Sequence, residues 1–122
     1  MKYEELTEKV IGCFYRVYNI LGYGFLEKVY ENALAIEFEK EGLRFGKQVE
    51  IQVVYEEKVV GNYFADFIVD GKVVVEIKAL VGVGSTKKAQ LINYLKATGK
   101  EVGLLLNFGK KSDVNRVFWE NN

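Results

Sequence analysis

The chain has no histidine and no proline, a single cysteine, and no apolar run approaching the roughly 20 residues a membrane helix needs. Each absence excludes something. Without histidine there is no Ser-His-Asp or Cys-His catalysis and no histidine-ligated zinc or haem. Any chemistry must use carboxylates, lysine, tyrosine or a metal held by oxygen. Cys13 alone cannot form an internal disulfide, which fits a reducing cytoplasm, and beside an apolar stripe it reads as a small buried hydrophobe. There is no low-complexity stretch, repeat or linker, so residues 1–122 are expected to form a single domain. The opening MKYEELTEKV is acidic and amphipathic, unlike a signal peptide. A soluble, cytoplasmic protein without membrane contact is the expectation.

What is present is a globular composition, 49% hydrophobic and 28% charged, with net charge zero. The charge is unevenly spread. Residues 1–70 hold 8 basic against 13 acidic side chains, and residues 71–122 hold 9 against 4. Such polarity can give a one-sided anion-binding face, or simply a solvated surface.

Leu6, Val10, Phe14, Val17 and Leu21 recur at helical spacing and predict a helix over 3–21, ended by Gly22 and Gly24. A second helix is expected over 25–41, with Leu26, Val29, Tyr30, Ala33 and Ile36 inward, stopped by Gly42. The period then drops from 3.6 to 2. Val49 to Tyr55 alternates as a half-buried strand, and further strands are expected over 61–69 and 72–80 around a hairpin signal at Asp70-Gly71. A third helix follows over 86–98, then a strand over 101–108 buried on both faces. The tail is polar except for Val117-Phe118-Trp119, a short edge strand or packing patch. The order is that of an α/β fold, a mixed sheet with helices on its faces.

Two glycine-rich segments mimic nucleotide motifs. Gly22-x-Gly24 follows a helix instead of a strand and has Glu27 where a third glycine is wanted. Gly82-Val83-Gly84-Ser85-Thr86-Lys87 has the wrong order and length for a phosphate loop. Its modest reading is a helix cap at Ser85 or Thr86, whose free amides, with Lys87 and Lys88, could hold one phosphate of a polymer.

The informative segment runs from Tyr63 to Lys78. Asp66 interrupts one apolar strand, and Glu76 and Lys78 interrupt the next, where charges are costly unless paired or metal-bound. Glu76 and Lys78 share a face. A two-residue hairpin loop would put Asp66 opposite Val75, on the other face. A three-residue loop, Val69-Asp70-Gly71, puts Asp66 opposite Val74 and diagonal to Glu76, and leaves Ala65, Phe67, Val69, Val73, Val75 and Ile77 as a wholly apolar opposite face. Two carboxylates on adjacent strands, with a neighbouring backbone carbonyl such as that of Ile77, suit Mg²⁺ or Mn²⁺. Lys78 beside them could orient a water or stabilise a phosphoryl group. A buried Asp–Lys–Glu ion cluster without catalysis has the same spacing.

Gly24-Phe-Leu-Glu27-Lys-Val-Tyr30 matches the pattern of the GxxExxY proteins, a branch of the PD-(D/E)xK nuclease superfamily. Asp66 with Glu76-Ile-Lys78 resembles the superfamily's metal and lysine motif, Gln90-Leu-Ile-Asn-Tyr94 its Q-x-x-x-Y helix, and LLLNFG over 104–109 its last core strand. The resemblance covers residues 5–118. It implies a restriction-endonuclease-like αβββαβ core with an extra N-terminal helix, Mg²⁺ dependence and hydrolysis of DNA phosphodiester bonds. In that reading Asp66, Glu76 and the Ile77 carbonyl bind the metal, and Glu27 helps through a water or a second metal. Lys78 positions the attacking water, and Gln90 and Tyr94 orient Lys78 or the substrate. Ala65 replaces a frequent proline, and Lys87 stands where relatives in this branch often carry histidine. The alternative is a catalytically silent module that binds nucleic acid or protein. Because two-fold symmetric DNA needs two sites, and the 117–119 patch is expected to lack cover, a homodimer through the tail or an adjacent helix is also an expectation; the alternative is a monomer whose tail folds back onto its own sheet.

Overall fold

A computed structural model describes residues 2–120. The elements are α1 (Glu4–Leu21), α2 (Glu27–Lys40), β1 (Phe45–Tyr55), β2 (Lys58–Val69), β3 (Val73–Lys78), α3 (Ser85–Thr98), β4 (Val102–Phe108) and β5 (Ser112–Phe118). The five strands form one mixed sheet in chain order. Only β3 and β4 run parallel, joined across one face by α3. The expected architecture is present, with helices on both faces of a mixed sheet.

One face packs on α1 and α2. Val10, Phe14 and Val17 of α1 and Tyr30, Leu34 and Phe38 of α2 close over Phe67, Val75, Leu104 and Phe108. The α1 stripe is the one its spacing predicts. That of α2 is not: Leu26 and Ile36 are exposed, and the buried row is Tyr30, Glu31, Leu34 and Phe38. The helix is rotated because Tyr30 is anchored. Its ring stacks on Phe108 at 4.1 Å, and its hydroxyl donates to the Gly22 carbonyl (2.7 Å) and accepts the Phe25 N–H (3.3 Å). Tyr30 thus pins the α1–α2 connection.

The other face packs on α3 through Leu91, Tyr94 and Leu95 against Val74, Leu105 and Val117. Gly103 permits this closeness, since a Cβ there would lie 3.0 Å from both Leu91 and Val117. The tail completes the sheet as β5, antiparallel to β4. Val117 is buried and Trp119 packs on the α3 side under Lys96, whose ammonium is 4.7 Å from the ring centroid. Of the 117–119 patch, Val117 and Trp119 are thus covered by the chain's own α3 face, while Phe118 between them remains exposed.

The hairpin between β2 and β3 differs from expectation by two residues of register. Val69 pairs with Val73, so the loop is Asp70-Gly71-Lys72 and not Val69-Asp70-Gly71. Asp70 and Gly71 both have positive φ (53° and 65°), as a primed turn requires, and the Lys72 N–H bonds the Val69 carbonyl at 2.9 Å. Lys72 is the extra residue. The loop stays odd, so the faces are as expected, but Asp66 falls opposite Glu76 instead of Val74.

Candidate active site

Asp66 marks a break in the sheet. The β2–β3 ladder stops at Phe67–Val75, and β1 skips one pairing at Gln48, which has φ +53° inside a strand. A left-handed residue in a strand acts like a bulge, bending and twisting it. Beyond this point Ala65 joins the α3-side cluster, although Phe67, of the same parity, packs under α1 and α2. The uninterrupted apolar face expected from Ala65 to Ile77 is corrected accordingly: twist at Asp66 moves Ala65 across.

Where the two strands part, carboxylates replace backbone bonds. The Asp66 N–H donates to Glu76 Oε1 (3.1 Å), and the Ile77 N–H donates to Asp66 Oδ2 (2.7 Å). Glu76 is only 7% exposed, and burial followed by repulsion from Asp66 pushes its carboxyl up to about 8. The Lys78 charge opposes this shift. Lys78 is half-buried at the end of β3 and has no hydrogen-bond or ion-pair partner among the described residues.

From α3, the Gln90 amide donates to the Tyr94 hydroxyl at 3.2 Å. Burial, then the Glu76 charge, pushes the Tyr94 phenol up to about 12, so it keeps its proton. Beside β3, on β4, the buried Asn107 side chain clamps the chain leaving the site, accepting from the Leu80 N–H (2.9 Å) and donating to its carbonyl (3.0 Å). Asp66, Glu76, Lys78, Gln90 and Tyr94 thus converge on the α3 face.

Glu27 stands exposed on the first turn of α2, outside this hydrogen-bonded network. Glu31, one turn later, is buried and joined to it. Gln48 Nε2 donates to Glu31 Oε1 (2.6 Å) and to Asp66 Oδ1 (3.1 Å), linking α2 to the site across β1. Sequence reasoning missed both residues. Glu31 had a signal, a charge inside the Tyr30–Leu34–Phe38 stripe; Gln48 had none. Ser85 and Thr86 do not cap α3, contrary to expectation. Gly84 holds the cap position, no side chain bonds the first turn, and Ser85 is already helical. Lys87 and Lys88 are half-buried on that turn.

A family model of the PD-(D/E)XK nuclease superfamily matches residues 4–117. The chain belongs to this superfamily. A crystal structure of SSO0001 is similar in fold, with a TM-score of 0.58 at 22% identity over 97% of the chain. The match spans 60% of that protein's length. No curated protein matches. PD-(D/E)XK nucleases generally use divalent metals. Among the described residues no three carboxylate or thiol groups gather at metal-binding distance. The donors that Mg²⁺ accepts are nonetheless here, since it is usually held by one or two carboxylates and keeps several waters. Two crowded carboxylates, one with its pKa raised by burial and then by the other's charge, fit a cation that would relieve the repulsion. No helix among the described residues is long and apolar enough to cross a membrane.

Proposed function

We propose that this chain, as one nuclease-like domain of the GxxExxY branch, is a Mg²⁺- or Mn²⁺-dependent nuclease that hydrolyses DNA phosphodiester bonds. The observation that carries this reading is Asp66 and Glu76 meeting where β2 leaves β3, with the unpaired Lys78 on the same face.

Asp66, Glu76 and the Ile77 carbonyl would hold the ion, which when bound offsets negative charge at the phosphoryl group. Lys78 orients the attacking water and donates to the charge that grows as the new P–O bond forms and the leaving oxygen departs. Tyr94 stays protonated and serves as a donor, with Gln90 fixing its hydroxyl. Glu31 and Gln48 hold Asp66 in position. Glu27, exposed on the preceding turn of α2, acts through water. The open first turn of α3, at Ser85 and Thr86 with Lys87 and Lys88, takes a neighbouring phosphate.

The test is cleavage of labelled single-stranded, double-stranded and branched DNA with Mg²⁺, Mn²⁺ or a chelator. Cleavage is expected only with metal. Lys78→Met should slow it by about 10²–10⁴-fold while leaving the urea midpoint near that of the parent. Absence of cleavage with any substrate contradicts the reading. DNA binding retained without cleavage identifies a silent binding module instead.

A further inference from the structure

One cavity shares residues with the catalytic face and extends past it. Its volume is about 510 Å³, and it opens between α3 and the β1–β2 hairpin. Tyr63 and Tyr94 form its aromatic wall, their ring centroids 5.4 Å apart at 45°. Gln52, Gln90 and Asn93 line it with amides, and Ala97 and Lys96 lie at its α3 side, the Lys96 ammonium set over the Trp119 ring. Tyr63 is 44% exposed, and it reaches α3 because of the twist at Asp66.

Three properties narrow the occupant. The amides each offer donors and an acceptor and carry no charge, which suits a neutral, planar group with both kinds of edge. The half-exposed tyrosine offers a stacking surface. Gln90 and Tyr94 belong both to this cavity and to the face carrying Glu76, so a chain whose phosphate lies at Asp66 and Glu76 has its neighbouring group at the cavity mouth. A volume within the roughly 300–1,000 Å³ of small-molecule pockets admits a nucleobase.

We propose that this cavity takes an unstacked nucleobase adjoining the phosphate bound at Asp66 and Glu76, so that the preferred substrate is single-stranded at the cleavage point. The inference rests on the nuclease reading and names its substrate class. A base inside an intact duplex is stacked and paired on both sides, and cannot enter without being flipped out.

The test uses the full chain with Ca²⁺ in place of Mg²⁺, an oxygen-liganded cation that occupies the phosphate-facing site while binding is read before appreciable cleavage. The probes are a single-stranded oligonucleotide of about eight residues, within the site sizes of single-strand binders, and the duplex of the same sequence. A 2-aminopurine in the single strand reports stacking by its quenched emission. Tyr63→Ala should weaken single-strand binding by about tenfold and restore the emission, and Tyr63→Phe should bind like the parent. Ala97→Phe, at an exposed position, should fill the cavity and weaken single-strand binding similarly without touching the core. Duplex binding should change by less than about twofold in all three, since the flanking phosphate contacts are untouched. Single-strand binding unaffected by both Tyr63→Ala and Ala97→Phe, in a chain that still cleaves DNA with metal, overturns this inference alone. A chain that neither binds nor cleaves DNA removes the nuclease reading and this inference with it.

Discussion

Glu76 is the residue on which the energetics of the site turn. Its carboxyl is pushed up to about 8 by burial and by Asp66, so the folded protein holds a proton that the unfolded chain releases near the ordinary carboxylate value. Between those values the folded state binds more protons than the unfolded one, so stability falls as pH rises. This group's contribution is fully present below about pH 4 and lost as pH passes through about 8. Urea midpoints of the metal-free protein should decline from about pH 5 to about pH 9, a loss on the order of a few kcal/mol. Glu76→Gln should flatten that slope. A slope unchanged in Glu76→Gln contradicts the placement of the proton. Lys78 works against the same shift, so the ammonium that would serve the reaction also keeps the metal-free site from being more strained.

At the scale of elements, the site exists because two strands separate. Gln48, in the left-handed region, and Asp66, with its carboxylate on the Ile77 N–H, let β2 swing toward α3 without leaving buried amides unpaired. On the other side, Gly103 lets α3 lie close enough to bring Gln90 and Tyr94 over Glu76. Gly103→Ala should cost about 1–3 kcal/mol in urea unfolding, because Leu91 and Val117 must both give way. A cost near zero would mean that α3 sits more loosely than described. How much of this the sequence shows follows from the same details. Parity was legible: charges at Asp66, Glu76 and Lys78 inside apolar strands demanded an odd loop, and the loop is odd. Which residue is the extra one was not, because Asp70-Gly71 supports either placement of a third loop residue. The left-handed Gln48 carries no compositional mark, so the twist that moves Ala65 and Tyr63 to the α3 side was invisible, and the cavity there with it. The α2 face was misjudged because Leu26, Val29 and Ile36 are apolar yet exposed, while the buried row is set by one anchored ring, Tyr30.

At the scale of the whole molecule, three layers bury Cys13 on the inner face of α1, where burial first of all raises its thiol to about 11. Such a thiol reacts only when the fold opens, so labelling by a disulfide reagent should follow opening and be undetectable in the closed state. A cation that binds only the folded state should slow this labelling by about tenfold at ten times its dissociation constant. A rate indifferent to millimolar Mn²⁺ would speak against a site in the folded protein. The most direct measurement is calorimetric titration of Mn²⁺ into the metal-free chain, in two buffers of different ionisation enthalpy. One Mn²⁺ per chain is expected, displacing close to one proton at about pH 6.5 and almost none at about pH 9.5, as a carboxyl near 8 requires, with affinity lost in Asp66→Asn. Binding that releases no proton at the lower pH, or that survives Asp66→Asn unchanged, would contradict the claim that Asp66 and Glu76 form the metal site of a nuclease.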